Sequence, residues 1–247
     1  MSNSINYDSS EFTLKSYKTY LKRIQDQYVF KFFTDDIYQE SVCLLRHDVD
    51  FSLESAINVA EIEYEMGIKS TFFIYPHCRF YNIFWERNRD IVSRIIACGH
   101  RIGLHFDSQF YSIANTVSFE KYLEIEAQML EKVFDISIKT FSFHRTDDFI
   151  LRSTKERYAN LISATSKKIK GVFNYISDSN GHWRFKSMDN FLKENHKNIH
   201  VLTHPGWWTY DEITPRAKIE SIMEENRKII LADYINAVNQ HNRLDIK

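Results

Sequence analysis

Ser41–Asp50 reads SVCLLRHDVD, an apolar run that ends in Arg46-His47-Asp48-Val49-Asp50. A short apolar stretch bounded by polar residues is the pattern of a strand covered on both faces. Side chains alternate along a strand, so extended backbone through this segment places Asp48 and Asp50 on one side, with Arg46 deeper on that side and His47 on the other. Two carboxylates then share one small volume, Arg46 is placed to pair with charge, and His47 packs beneath the strand.

The same form repeats along the chain. Ser70–Tyr75 (STFFIY), Arg101–Phe106 (RIGLHF), Ile138–Phe143 (IKTFSF), Val172–Ser177 (VFNYIS) and Ile199–Thr203 (IHVLT) are further candidate strands. Between them lie helical stretches. Ser52 is placed to cap one that carries Ala56, Ile57, Ala60 and Tyr64 on one face and stops at Gly67. Ile91, Val92, Ile95 and Ile96 mark a second that stops at Gly99, and Ser118 is the expected cap of a third. Thr214-Pro215 opens a long terminal helix by the cap-then-proline rule, with Ile219, Ile222, Ile229, Ile230, Tyr234 and Ile235 as its apolar positions. Before the first strand, Phe12, Tyr17, Leu21, Ile24 and Tyr28 suggest a helix. Residues 1–40 therefore form a helical extension expected to pack on a β/α domain of residues 41–247. Successive strand–helix units give right-handed parallel crossovers that close to a barrel or stay open as a doubly wound sheet.

Either architecture gathers reactive groups at the C-terminal ends of the strands. After Asp48 and Asp50, the later strands end in His105-Phe106-Asp107, His144-Arg145, Asp178-Ser179 and His204-Pro205. One carboxylate at a strand end is ordinarily a helix cap, and one buried histidine is ordinarily hydrogen-bonded core. Five such ends on one rim are a different matter, because capping does not call for imidazole. Imidazole and carboxylate together suit zinc or a similar divalent ion, with a second carboxylate as base and a further histidine as acid. Asp50 and His105 are the candidate ligands, Asp48 the base and His204 the acid. His196 and His200 share a four-residue spacing with His204, but the change from helix to strand between them breaks a common site.

Composition sets the outer limits. The 247 residues suffice for one core, and 43% hydrophobic with 26% charged residues describes an ordinary globular chain. A net charge of -1 leaves no electrostatic footprint for nucleic acid. Three cysteines, Cys43, Cys78 and Cys98, form no CxxC pair and read as reduced. Neither a signal peptide nor a membrane span is evident, so the cytoplasm is the expected compartment. Aromatic residues reach 15% beside only six glycines and three prolines, a sign of a bulky core or of a surface that stacks sugar rings.

The motifs LLRHDVDF, GHRIGLHFD, FSFHR, YISDSNGHW and VLTHPGWW resemble, in order and spacing, those of the polysaccharide deacetylase-like (NodB-homology, carbohydrate esterase 4) superfamily, over roughly Val42 to Trp208. The HDVD and HPxWW forms look like the subgroup associated with O-antigen or capsule assembly. The resemblance implies a single-domain distorted (β/α) barrel of about seven strands with a long C-terminal helix. It also implies a divalent metal, most simply Zn2+ with Fe2+, Co2+ or Ni2+ as alternatives, and removal of N-acetyl groups from amino sugars. By the same resemblance Asp48 matches the base, Asp50 the metal-binding aspartate and His105 the first histidine of the HxxxH motif. The position four residues later is Gln109, a poor ligand. His144, at the end of the adjacent strand, is the favoured replacement and Asp107 the second choice. Arg145 matches the arginine that orients the base, and Asp178 and Trp183 the carboxylate and tryptophan of the SDSNGHW segment. His204 matches the leaving-group histidine, with Trp207 and Trp208 as pocket walls; Asp107 and the three tryptophans form the expected substrate contacts.

The leading expectation is thus hydrolysis of an acetamido or formamido group on a nucleotide- or lipid-linked amino sugar. A metal-free sugar-binding module is the first alternative, and a metal-dependent amidase acting on another C–N bond the second.

Overall fold

Thr13 accepts the Ser16 N–H and starts α1 (Leu14–Gln25), after which come β1 (Val29–Phe30) and β2 (Val42–Val49). The middle of the chain is α2 (Leu53–Glu65), β3 (Thr71–Ile74), α3 (Glu86–Ala97), β4 (Arg101–Phe106), α4 (Thr116–Phe134) and β5 (Thr140–Phe143). Then follow α5 (Asp148–Arg152), β6 (Arg157–Tyr158), β7 (Leu161–Ser163), α6 (Lys167–Val172) and β8 (Asn174–Ser177). The order closes with α7 (Met188–Lys193), β9 (Ile199–Thr203) and α8 (Pro215–Gln240). This computed structural model describes residues 8–113, 115–145 and 147–241; the outer ends of the expected 1–40 and 41–247 segments lie outside the described residues.

The strands form one sheet in the order β6-β7-β5-β4-β3-β2-β9-β8, with β1 also paired to β2. Every pairing is parallel except the β6–β7 hairpin. The sheet curls into a half-barrel, so the distorted β/α barrel with its long final helix is the fold. All six strands read from the sequence are present. β1, β6 and β7 are additional, and each has only two or three residues.

Alternation along β2 sorts its residues between two cores. Cys43, Leu45 and Val49 face the helices and belong to the large cluster with Ala56, Ile57 and Ala60 of α2. Val42 and Leu44 face the concave side and join Phe33, Ile37, Phe73 and Ile162 in a smaller cluster that fills the barrel below the site. Arg46 continues that inner row, its guanidinium 5.5 Å from the Phe73 ring. The inner row therefore changes from apolar to charged along the strand, toward its C-terminal end.

Three local expectations are corrected. The cap of α4 is Asn115, and Ser118 is the third helical residue of a reciprocal capping box. On α2, Tyr64 is 62% exposed and the inward position is Glu63, fully buried. On α8, Ile230 and Tyr234 are exposed rather than packed. Ser52, Thr214 and the glycine stops behave as expected: each cap accepts a backbone N–H, and Gly67 and Gly99 take left-handed φ of 68° and 85°.

Candidate metal centre

β2 stays extended through Val49, so Asp48 and Asp50 arrive on the inner side together. Asp48 is buried, and Arg46 grips it with two parallel bonds, Nε to Oδ1 at 3.0 Å and Nη2 to Oδ2 at 2.7 Å. Ser142 on β5 adds a third bond to Oδ1 at 3.2 Å. Burial raises the Asp48 carboxyl, but Arg46 and then His105 more than offset it and hold it below the usual carboxylate range. The guanidinium that fixes the Asp48 carboxylate is thus Arg46, two residues earlier on the same strand. Arg145 lies on the rim, where its Nη1 donates to Gln109 Oε1 at 3.0 Å. That corrects the role expected for Arg145: it follows His144 past the end of β5, where the chain has turned outward.

β4 brings in His105 and the end of β5 brings in His144. His105 Nε2 stands 3.1 Å from Asp50 Oδ1, His144 Nδ1 stands 3.3 Å from the same oxygen, and the two nitrogens are 3.3 Å apart. Asp50 Oδ1 is buried and takes no well-formed hydrogen bond. Donors bound at about 2.1 Å in tetrahedral array are roughly 3.4 Å from one another, so the triangle has the size that a divalent ion requires. Two imidazoles and one carboxylate suit Zn2+, Fe2+, Co2+ or Ni2+ in kind. The Nδ1 of His105 is engaged by Ser142 Oγ at 2.7 Å, which leaves Nε2 as its free donor atom. Asp50, His105 and His144 therefore fit a resident metal. Burial raises the Asp50 carboxyl, yet the two imidazoles against it bring it well below the normal range.

The fourth group comes from β9. His204 Nε2 lies 3.9 Å from Asp50 Oδ2, and its Nδ1 meets Asp178 Oδ1 at 2.6 Å. Asp178, fully buried at the end of β8, also accepts the His204 backbone N–H and the Trp208 Nε1–H at 2.9 Å. Burial alone would lower the imidazole, but the Asp178 carboxylate raises it to about 9. The Asp178 carboxylate thus favours the protonated form of His204. Gly206 lets its loop close down, since a Cβ there would sit 2.6 Å from the Phe51 ring.

The remaining candidates have other work. Asp107 accepts the Tyr75 hydroxyl at 2.9 Å and caps the Ser108–Tyr111 turn through the Gln109 N–H, so both its oxygens are engaged away from the donor triangle. Trp183 and Trp208 are packed with Phe12 and Tyr20 in an aromatic cluster, and Trp208 is 1% exposed. These two tryptophans are core rather than pocket wall, because the rings bury and Asp178 satisfies the Trp208 N–H. Trp207 packs on Phe51, the neighbour of Asp50, with ring centroids 4.6 Å apart. His196 pairs with Glu194 and His200 is buried inside the barrel, so neither reaches His204's partners. Sequence reasoning missed Ser142, whose place two residues before His144 on an alternating strand was the available signal. It also missed Lys218, buried on α8, whose Nζ donates to Phe12 O at 2.9 Å and Trp207 O at 2.7 Å. The three cysteines are free, and among the described residues no helix is long and apolar enough to cross a membrane.

No protein-family model and no curated protein matches the chain. Among solved structures it is similar to a family 4 carbohydrate esterase from Bacillus anthracis at 17% identity and TM-score 0.45, over 85% of this chain and 86% of that one. A family 4 carbohydrate esterase from Streptomyces lividans in complex with acetate gives 14% and 0.44, over 76% and 87%. A CE4 family pseudoenzyme from Bacillus anthracis gives 14% and 0.42 over 74% of this chain, which spans 60% of that protein's length.

Proposed function

We propose that this chain is a metal-dependent hydrolase of the carbohydrate esterase 4 type. Its substrate is an amino sugar, nucleotide- or lipid-linked, in surface-polysaccharide assembly, from which it removes an N-acetyl or N-formyl group. The observation that supports this most directly is the donor triangle of Asp50, His105 and His144, set between a carboxylate held ionised by Arg46 and an imidazolium held by Asp178. A pure sugar-binding site has no use for a base and an acid on opposite sides of three metal donors.

Asp50, His105 and His144 would hold a divalent ion, which would supply Lewis acidity toward water and a carbonyl. Asp48, kept deprotonated and fixed in direction by Arg46, takes the proton of the attacking water. As the C–N bond breaks, His204 gives its proton to the departing amine, and Asp178 holds the imidazole ring in line for that transfer. Products are the free amino sugar and acetate or formate. Phe51 and Trp207 form an apolar wall beside Asp50 that excludes bulk water from one side.

The test is elemental analysis of the purified protein beside His105→Ala and His144→Ala, together with acetate release from an N-acetylated nucleotide sugar. Near-stoichiometric divalent metal in the parent chain, lost from both variants along with turnover, is the expected result. A parent chain that stays metal-free after reconstitution would defeat the hydrolase and leave a binding module.

A further inference from the structure

His105 and His144 are held in different ways. Ser142 fixes the ring of His105 by a hydrogen bond. Among the described residues no hydrogen bond reaches Nε2 of His144, whose side chain is 17% exposed past the end of β5. What holds its ring is Tyr75. The two rings stack with centroids 4.2 Å apart and planes 24° from parallel, and Tyr75 also stands edge-on to His105 at 5.9 Å.

Tyr75 is itself tied at both ends. Its hydroxyl donates to Asp107 Oδ2 at 2.9 Å, and Asp107 is held by the Gln109 N–H on its other oxygen. Its backbone N–H donates to the Tyr81 hydroxyl at 3.1 Å, and Tyr81 in turn donates to Val49 O at 2.6 Å, beside Asp50. The ring that supports one donor is thus stapled to the strand that carries another. Tyr75 and Asp107 are both buried, so the platform is rigid.

We infer that Tyr75, anchored by Asp107, is the positioning residue that makes His144 the third donor of the metal centre. This rests on the metal centre proposed above. It also gives Asp107 a role one step away from the metal, in place of the ligand or substrate contact that its position on the rim suggested. Partners that orient a ligand without touching the metal commonly govern affinity by 10–100-fold.

Co2+ added to the metal-free protein is the probe, read by its visible d–d bands and by titration, with the unfolding midpoint of the metal-free chain measured alongside. Tyr75→Leu, which removes the ring, is expected to weaken Co2+ binding by about 10–100-fold and to alter the band shape. Tyr75→Phe keeps the stack and loses only the bond to Asp107, with an expected loss of about 2–10-fold. If the leucine chain does not fold, Tyr75→Met repeats the test. Parent-like Co2+ affinity and spectrum in the ring-less variant would overturn the positioning role, as would a Phe variant as weak as the ring-less one. No Co2+ bands in the parent chain would instead overturn the metal centre itself, so the two failures are distinguishable.

Discussion

His47 and Asp48 are adjacent on β2, and each heads a buried charge network facing a different side of the sheet. On the inner side, Arg46 and Asp48 lead up to Asp50, His144 and His204, whose side chains keep 14%, 17% and 13% of their surface open. On the outer side, His47 Nε2 meets Glu63 Oε1 at 2.8 Å, and Glu63 also receives the Tyr17 and Ser70 hydroxyls and the nearby His100. Glu63, His47 and His100 side chains are all at 0% exposure under α2. Both sides set carboxylate against imidazole. What separates the two clusters is that the inner one keeps a residual opening to solvent and aims three donor atoms at a single spot.

The comparison breaks most severely at the donors. Asp50→Ala removes the shared oxygen of the triangle and should abolish bound metal in elemental analysis and reduce turnover by more than about 10³-fold, while the unfolding midpoint of the metal-free chain changes little. The converse holds on the sealed side. Glu63→Ala leaves His47, His100 and Tyr17 without their common acceptor, at an expected cost of about 3–5 kcal/mol in denaturant unfolding. Metal stoichiometry per folded molecule should stay unchanged, and a Glu63→Ala chain that folds normally but loses metal would erase the distinction between the two networks.

A smaller effect is expected from Asp178→Asn. It removes the carboxylate that raises His204 to about 9, so the imidazole falls back toward its ordinary value. In the parent chain, activity should decline as pH rises through about 9 and His204 loses its proton. In the variant that decline should begin near neutrality, with turnover at pH 7 lower by about 4-fold from the lost proton alone. An unshifted alkaline limb in the pH–rate profile would remove His204 as the acid.

A further effect is on stability against pH. His200, buried in the barrel and next to Arg46, is lowered to about 3, first by burial and then by that guanidinium. The unfolded chain binds a proton near pH 6.5 and the folded chain does not until about 3, so the contribution is intact above 6.5 and is lost as pH falls through that window. The slope is at most about 1.4 kcal/mol per pH unit, and His200→Phe should flatten it in unfolding measured from pH 7 to 4.

The inner network was legible in the sequence because two periodicities coincide there: alternation fixes which side Asp48 and Asp50 face, and the strand ends fix where His105, His144 and His204 gather. The outer network was not. Glu63 falls on the same inward stripe as Ala56 and Ala60, but a carboxylate in a helix reads as solvent-facing until its partners from β2 and the start of β4 are known. The β6–β7 hairpin was hidden for a different reason. Its turn places Ala159 and Asn160 at φ of 44° and 64°, and alanine gives no sequence signal for a left-handed residue. Arg145 misled because the motif order matched, whereas the arginine that reaches Asp48 is set by strand geometry.

Lys218 closes a loop of the covalent chain that spans almost all of it: its ammonium holds the carbonyl of Phe12, 206 positions earlier, and that of Trp207 in the loop behind His204. Such a contact is among the last that a folding chain can make, since its closure entropy must be met before it stabilises anything. During synthesis Asp50, His105 and His144 leave the ribosome long before α8, so the donor triangle is complete in the chain before the residue that pins the loop after His204. Lys218→Met should therefore slow the last phase of refolding, in which the loop after His204 is pinned, more than it slows the collapse of the sheet.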